Sequence, residues 1–235
     1  MRLLITRPEE DAVALAATLK DLGHSTLVAP LMDVHIFDGP PLALGGMQAV
    51  LATSANGVRA FAKRSEKRDL PIYAVGPQTA EAASKCGFQF VYSAEGDAAI
   101  LAEAVASWAK PENGALLHAA GAETTGGMRQ ALQAKGFAVT VEILYEAAPI
   151  VKLPEKLEQA LRDNALDGVL LFSPRSAKVF TNLVTEAGLG EACARLSCYC
   201  ISAATAAALG ALAFARVSVA GAPNQEAMLA LLTPL

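Results

Sequence analysis

Val50-Leu51-Ala52-Thr53-Ser54-Ala55-Asn56-Gly57-Val58-Arg59-Ala60-Phe61 aligns without a gap to Val169-Leu170-Leu171-Phe172-Ser173-Pro174-Arg175-Ser176-Ala177-Lys178-Val179-Phe180. In each copy a short apolar run gives way to a Ser and then to apolar residues at helical spacing, which reads as a buried strand, a turn and a helix. Tyr73-Ala74-Val75-Gly76-Pro77-Gln78-Thr79-Ala80 likewise aligns to Tyr199-Cys200-Ile201-Ser202-Ala203-Ala204-Thr205-Ala206, with a small turn residue and a Thr in the first helical turn. A different element also occurs twice. Leu3-Leu4-Ile5, a polar helix start, a helix and Gly23 match Leu116-Leu117-His118, a polar segment, a helix and Gly136. In the first copy Pro8-Glu9-Glu10-Asp11 opens the helix and Leu15, Leu19 and Leu22 form its apolar stripe. In the second, Met128 and Leu132 lead into Gly136-Phe137 and a strand on which Val139, Val141 and Ile143 alternate.

Strands alternating with helices require parallel sheets covered on both faces. The repeats run first element, second, first, second, so the chain is expected to be α/β, with two similar domains, each a parallel sheet flanked by helices. In such sheets ligands bind beyond the C-terminal ends of the strands, where helix N-termini present N–H groups. Ser54, Ser173, Thr79 and Thr205 stand where strand passes to helix, and they are expected to line a cleft between the domains. Ordinary helix capping is the alternative role for these four residues. The candidate crossing segments are Asp33 to Leu44, with Gly39-Pro40-Pro41, and Ala147 to Pro154, with two prolines.

Composition narrows the function classes. The chain has 235 residues, 53% hydrophobic and 18% charged, with a formal net charge of −4. That balance excludes disorder and gives no positive field for gripping nucleic acid. The uncharged stretch from Leu196 to Ala215 has the length of a membrane span. It divides, however, into a β-like Cys198-Tyr199-Cys200-Ile201, Ser202 and an Ala-rich helical piece, which suits a buried strand, turn and helix. The first residues hold no signal-peptide apolar region, so a cytoplasmic setting is expected. Cys86, Cys193, Cys198 and Cys200 show no metal or redox spacing, and His24, His35 and His118 are scattered, so no metal site is expected. Gly121-Ala122-Glu123-Thr124-Thr125-Gly126-Gly127 has the glycines of a phosphate loop without its Lys, and reads as a turn. No Gly-x-Ser-x-Gly elbow surrounds Ser54 or Ser173.

Taken in order, Leu3-Leu4-Ile5-Thr6-Arg7-Pro8, Thr53-Ser54-Ala55-Asn56-Gly57-Val58, Ala74-Val75-Gly76 with Thr79-Ala80, Leu144-Tyr145, Phe172-Ser173-Pro174, and Ile201 with Thr205-Ala206 resemble uroporphyrinogen-III synthases over essentially the whole chain. The resemblance implies two flavodoxin-like domains joined by a two-stranded linker. The first would comprise 1–34 plus 150–235, and the second, inserted domain 35–149 with linker strands at its ends. It implies a lyase of haem and other tetrapyrrole synthesis that closes linear hydroxymethylbilane to uroporphyrinogen III, inverting the terminal pyrrole ring and losing water. No metal or organic cofactor, no membrane and no nucleic acid are implied, and a monomer is expected.

By the same resemblance Tyr145 is the catalytic residue, donating a hydrogen bond to the departing hydroxyl; its alternative role is an aromatic filler at a strand end. Substrate carboxylates would be bound by Ser54, Ala55, Asn56, Gly76 and Thr79 on the inserted domain, and by Arg7, Ser173, Arg175 and Thr205 on the other. Arg7 and Arg175 could instead be solvated surface charges. Two departures stand out: Ser202 where the first copy has Gly76, and Leu117-His118-Ala119-Ala120-Gly121 without the Arg often found there. A non-catalytic two-lobed module for an anionic small molecule is the competing reading.

Overall fold

The computed structural model describes residues 1–124 and 126–232. In chain order it contains β1 (Arg2–Ile5), α1 (Glu9–Asp21), β2 (Ser25–Val28), β3 (Met32–Ile36), β4 (Met47–Ala52), α2 (Ala55–Arg64), β5 (Ile72–Ala74), α3 (Pro77–Lys85), β6 (Val91–Ser93), α4 (Ala98–Trp108), β7 (Ala115–Gly121), α5 (Gly127–Ala134) and β8 (Val139–Pro149). There follow α6 (Glu155–Arg162), β9 (Gly168–Leu171), α7 (Pro174–Glu186), α8 (Gly190–Cys193), β10 (Ser197–Cys200), α9 (Ala203–Ala207), β11 (Arg216–Val219) and α10 (Gln225–Ala230). The chain divides into two compact units, Met1–Asp33 with Ala148–Leu235, and Val34–Ala147.

The first unit holds a five-stranded sheet in the order β11-β10-β9-β1-β2, parallel throughout. Renumbered within the unit and read from the β2 edge, this is 2-1-3-4-5, the flavodoxin-like order. Leu4, Val169, Leu171, Cys198 and Cys200 point to one face, under Leu157, Phe180 and Leu183 of α6 and α7. Leu3, Ile5, Leu170 and Tyr199 point to the other, under α1 and α10. Both faces are apolar because both are covered, which accounts for the unbroken apolar runs.

The second unit has the sheet order β3-β8-β7-β4-β5-β6. Strands β4 to β8 are parallel to one another. The element β7-α5-β8 occupies the place that β1-α1-β2 holds in the first unit, and β4, β5 and β6 match β9, β10 and β11. The two sheets therefore share one spatial order although the chain enters them at different strands, a circular permutation. One face is packed by α2 and α3 through Val58, Phe61 and Ala83; the other by α4 and α5 through Leu101, Val105, Met128 and Leu132. Phe61 and Phe180, the final residues of the aligned repeat, are both fully buried, and truncating either to Ala would cost about 3–5 kcal/mol.

Strand β3 lies beside β8. The Phe37 N–H donates to the Leu144 carbonyl at 2.9 Å and the Ile150 N–H to the Leu31 carbonyl at 3.1 Å. Numbering rises along one strand as it falls along the other, so the pair is antiparallel.

Several local expectations change. Ala12, Leu15 and Leu19 form the buried stripe of α1, while Leu22 is 51% exposed. Leu22 is the C-cap and Gly23 turns the chain away at φ +80, so the fourth apolar position has left the helix. The alternation expected on β8 also breaks: Ile143 is 41% exposed and Leu144 and Tyr145 are both buried. The register against β7 shifts there, from Ala120 opposite Ile143 to Gly121 opposite Tyr145. The extra residue reverses the alternation and re-aims the side chains beyond it. Leu196 to Ala215 contains β10 and α9, and no helix among the described residues is long and apolar enough to cross a membrane.

Candidate functional site

In the second unit the chain leaves β4 toward one side of the sheet and β7 toward the other, the switch point at which open α/β sheets form a crevice. Tyr145 stands at this end, 9% exposed, on the face covered by α2. Its ring lies against Gly121: a Cβ added there would come within 2.8 Å of Tyr145 Cζ and 3.0 Å of Oη. From the other side it faces Gly57, whose added Cβ would stand 3.6 Å from Tyr145 Cε1 and would collide with the Ala119 carbonyl oxygen. Gly121 and the bulge thus give the ring a place with no room for a methyl group on the Gly121 side, while Gly57 is held small by the Ala119 carbonyl. Among the described residues no hydrogen bond satisfies the Tyr145 hydroxyl, nor is it one of the sealed polar atoms without a partner, of which Ser93 Oγ is the example. The ring is fixed while its O–H remains available to a ligand.

Around this slot the helix starts differ in how their N–H groups are used. Ser54 caps α2 by accepting from the Asn56 N–H at 3.1 Å, and Asn56 Oδ1 accepts from Arg59 at 2.9 Å. Asp97 caps α4 through the N–H groups of Ala99 and Ile100. Helices α3 and α5 begin at Gly76 and Gly126, which bring no capping side chain. An added Cβ at Gly76 would meet nothing within 4 Å. Helix α3 thus starts without a side-chain cap, and the helix dipole favours an anion at such a start. Ala55 is buried at the start of α2. Thr79 is not a cap: it is the third residue of α3 and 4% exposed. Thr125 of the glycine-bearing segment lies outside the described residues.

The first unit repeats the pattern at its own switch point, between β1 and β9. Arg7 follows β1 and is 6% exposed, which overturns its reading as a solvated surface charge. Its guanidinium sits 4.5 Å over the Phe172 ring, donates to Gln225 Oε1 at 3.2 Å and lies 3.7 Å from Asp11 Oδ2. A buried guanidinium must be satisfied on its edge, and a ring face accepts the remaining positive surface. Arg7 consequently braces the β9–α7 turn from beneath. Ser173 caps α7 by accepting from the Ser176 N–H at 3.0 Å. In the other turn Ser202 is the cap and Thr205, fully buried, gives it a backbone N–H at 3.2 Å and an Oγ–Oγ contact of 3.0 Å. The cap positions of α3 and α9 are thus Gly76 and Ser202, each one helical turn before Thr79 and Thr205. Arg175 is half-buried in the first turn of α7 and has partners of its own.

His118 is 4% exposed on β7; its Nε2 is 3.4 Å from Thr53 Oγ1, and burial pushes its pKa down to about 4. The thiols are free. Burial pushes Cys193 up to about 12, and the 3.6 Å contact with Cys200, together with burial, raises Cys198. Groups held so firmly as thiols are poor nucleophiles. Among the described residues no cluster of three or more His, Cys, Asp or Glu could hold a metal ion.

A sequence model of the family described as uroporphyrinogen-III synthase HemD matches residues 13–230. No curated protein matches the chain. Among solved structures it is similar to the uroporphyrinogen-III synthetase of Helicobacter pylori, at 18% identity and TM-score 0.61, covering 99% of this chain and 98% of that one. It is also similar to a mutant uroporphyrinogen III synthase of Thermus thermophilus, at 17% identity and TM-score 0.51, covering 99% and 97%. At these identities the structural likeness concerns the fold.

Proposed function

The chain belongs to the uroporphyrinogen-III synthase family, and from that premise we propose that Tyr145 and the strand-end turns of its two units carry the family's reaction here. That reaction is a cyclising lyase step: linear hydroxymethylbilane closes to uroporphyrinogen III with inversion of the terminal pyrrole ring and loss of water. Its chemistry asks for little apparatus. The electron-rich pyrrole expels the hydroxyl to leave a stabilised azafulvene cation, which closes unaided to the uninverted isomer. Inversion needs attack at the substituted carbon of the last ring, then fragmentation of the spiro intermediate and reclosure. The enzyme's main contribution is geometry, and one proton donor beside the departing hydroxyl supplies the rest.

In this reading Tyr145 is that donor. The single observation that carries it is a phenol packed tightly against Gly121 with no internal hydrogen-bond partner among the described residues. A filler would not need a slot that excludes even a methyl group while its hydroxyl stays unpaired. The carboxylates are taken at the start of α3 by Gly76 and Thr79, at the start of α2 by Ser54, Ala55 and Asn56, and by Ser173 and Arg175 on the other unit, where the fully buried Thr205 acts through the Ser202 cap it donates to. Arg7 belongs to this set as the brace beneath Phe172 and Ser173, since its own donors are engaged. We take the two compact units as the enzyme's domains, with β3 and β8 as linker strands. A monomer completes the reading, and its cytoplasmic setting is supported by four free thiols of the kind a reducing compartment maintains.

The test is Tyr145→Phe. Formation of the inverted isomer should slow by about 10- to 100-fold, since a positioned acid contributes roughly 10²–10⁴ and this one shares the work with geometry. Unchanged turnover by a folded variant would overturn the assignment.

A further inference from the structure

On the sheet face opposite Tyr145, His118 of β7 and Thr53, just after β4, face a cavity of about 170 Å³ at the start of α5. Its lining is divided. Ala98, Met128 and Val141 supply an apolar wall; Thr53, His118 and Arg129 supply polar groups. The His118 ring touches Thr53 through Nε2, and its other nitrogen has no partner among the described residues although the residue is only 4% exposed. When the Thr53 hydroxyl donates to Nε2, the ring proton sits on Nδ1 and is unpaired. Helix α5 starts at the same place, at Gly126 in the left-handed region and with no side-chain cap. Among the described residues no ion pair or hydrogen bond ties down the Arg129 guanidinium, whereas the Glu123 carboxylate on the rim has an interaction of its own.

The His118 ring, a helix start without a side-chain cap and the Arg129 guanidinium line one small space. Donors gathered in this way suit an acceptor brought from outside. The volume excludes a whole tetrapyrrole, since pockets for drug-sized ligands begin at about 300 Å³. It admits one short arm. The apolar wall suits methylene groups and the donors suit a carboxylate, which together select an alkyl carboxylate over a bare phosphate.

We propose that this cavity is a subsite for one carboxylate side chain of the tetrapyrrole, held by His118, the first-turn N–H groups of α5 and Arg129. The inference rests on the synthase reading. It adds a second point of attachment on the far side of the sheet from Tyr145 and so fixes which way round the substrate lies. His118 is a binding residue here and transfers no proton. Because burial keeps the ring uncharged at neutral pH, it acts as a neutral donor while Arg129 supplies the charge.

The experiment compares wild type, Arg129→Gln and His118→Leu in the coupled assay, with hydroxymethylbilane generated in situ and KM and kcat read separately. Both variants should raise KM about tenfold while kcat falls less than threefold, and His118→Gln should recover most of the loss by restoring an N–H. In parallel, the imidazole ¹⁵N resonances of wild-type His118 are followed as millimolar propionate, and separately inorganic phosphate, is added. Propionate should shift them in wild type and not in Arg129→Gln, with phosphate much weaker. Unchanged KM in Arg129→Gln, or equal response to both anions, overturns the subsite while wild type still yields the inverted isomer. Wild type yielding only the uninverted isomer would instead remove the functional reading beneath it. Arg129 is exposed, so its variant remains informative should His118→Leu fail to fold.

Discussion

Replacing Gly121 by Ala tests the slot around Tyr145 by geometry alone. Gly121 does not occupy the left-handed region, so an L side chain meets no backbone penalty. The new Cβ would, however, stand 2.8 Å from Tyr145 Cζ and 3.0 Å from Cε2 and Oη. Ordinary carbon contact needs about 3.5 Å or more, so the ring must retreat by about 0.7 Å. Because the atoms struck are the far end of a side chain, the fold absorbs this at about 1–2 kcal/mol of overpacking. Catalysis is less tolerant: displacement of a reacting group by about 1 Å can cost 10²-fold, and we expect formation of the inverted isomer to slow by about tenfold. The assay supplies hydroxymethylbilane in situ, oxidises the products and resolves the porphyrin isomers, with urea unfolding run alongside. The double variant carries the discriminating power. With Tyr145→Ala the ring is gone, so adding Gly121→Ala should change the rate by less than twofold, a coupling equal to nearly the whole single-variant effect. An unchanged rate for Gly121→Ala, or the same tenfold loss on the Tyr145→Ala background, would refute the claim that Gly121 acts by positioning this ring.

Gly57→Ala should behave differently, because its Cβ meets the Ala119 backbone carbonyl rather than a movable side chain. The expected loss is about 2–3 kcal/mol of stability, measured by urea unfolding, with the α2 packing disturbed before the chemistry is. Arg7→Met should cost about 2–4 kcal/mol by unpairing Gln225 and Asp11 under the β9–α7 turn. A change within 0.5 kcal/mol would show that the buried guanidinium braces nothing. For pH, the His118 imidazole is depressed to about 4 by burial, against about 6.5 in the unfolded chain. Between those values the unfolded chain takes up a proton that the folded one refuses, so stability falls as pH drops from 6.5 toward 4, by at most roughly 3 kcal/mol. His118→Leu should remove that part of the pH dependence; identical stability-against-pH slopes in variant and wild type would contradict it.

Much of the fold is legible because parallel strands buried on both faces leave short apolar runs, and those runs end at residues that begin helices. The paired repeats containing Ser54 and Ser173 announce such units directly. Sheet order is another matter. That β7 lies between β8 and β4 depends on pairings between distant strands, and local periodicity carries no record of them. The site is legible in position more than in contact. Ser54 and Ser173 cap as their placement suggests, whereas Arg7 is buried beneath a ring contributed from far along the chain. The surroundings of Tyr145 are set by a bulge that reverses strand parity and by two glycines from other elements. Gly57 inside a helical pattern is the available signal, since such a glycine often marks a close backbone approach. His118 offers no such sign: a lone histidine on an apolar strand looks the same whether or not a cavity lies beside it.

Whether this chain directs closure of the linear tetrapyrrole is tested most directly by the isomer composition of its product. With hydroxymethylbilane generated in situ, the wild-type protein should yield predominantly uroporphyrinogen III. Tyr145→Phe should move the product toward isomer I as unaided closure overtakes the slowed enzyme. Isomer I alone from the folded wild-type protein would contradict the claim.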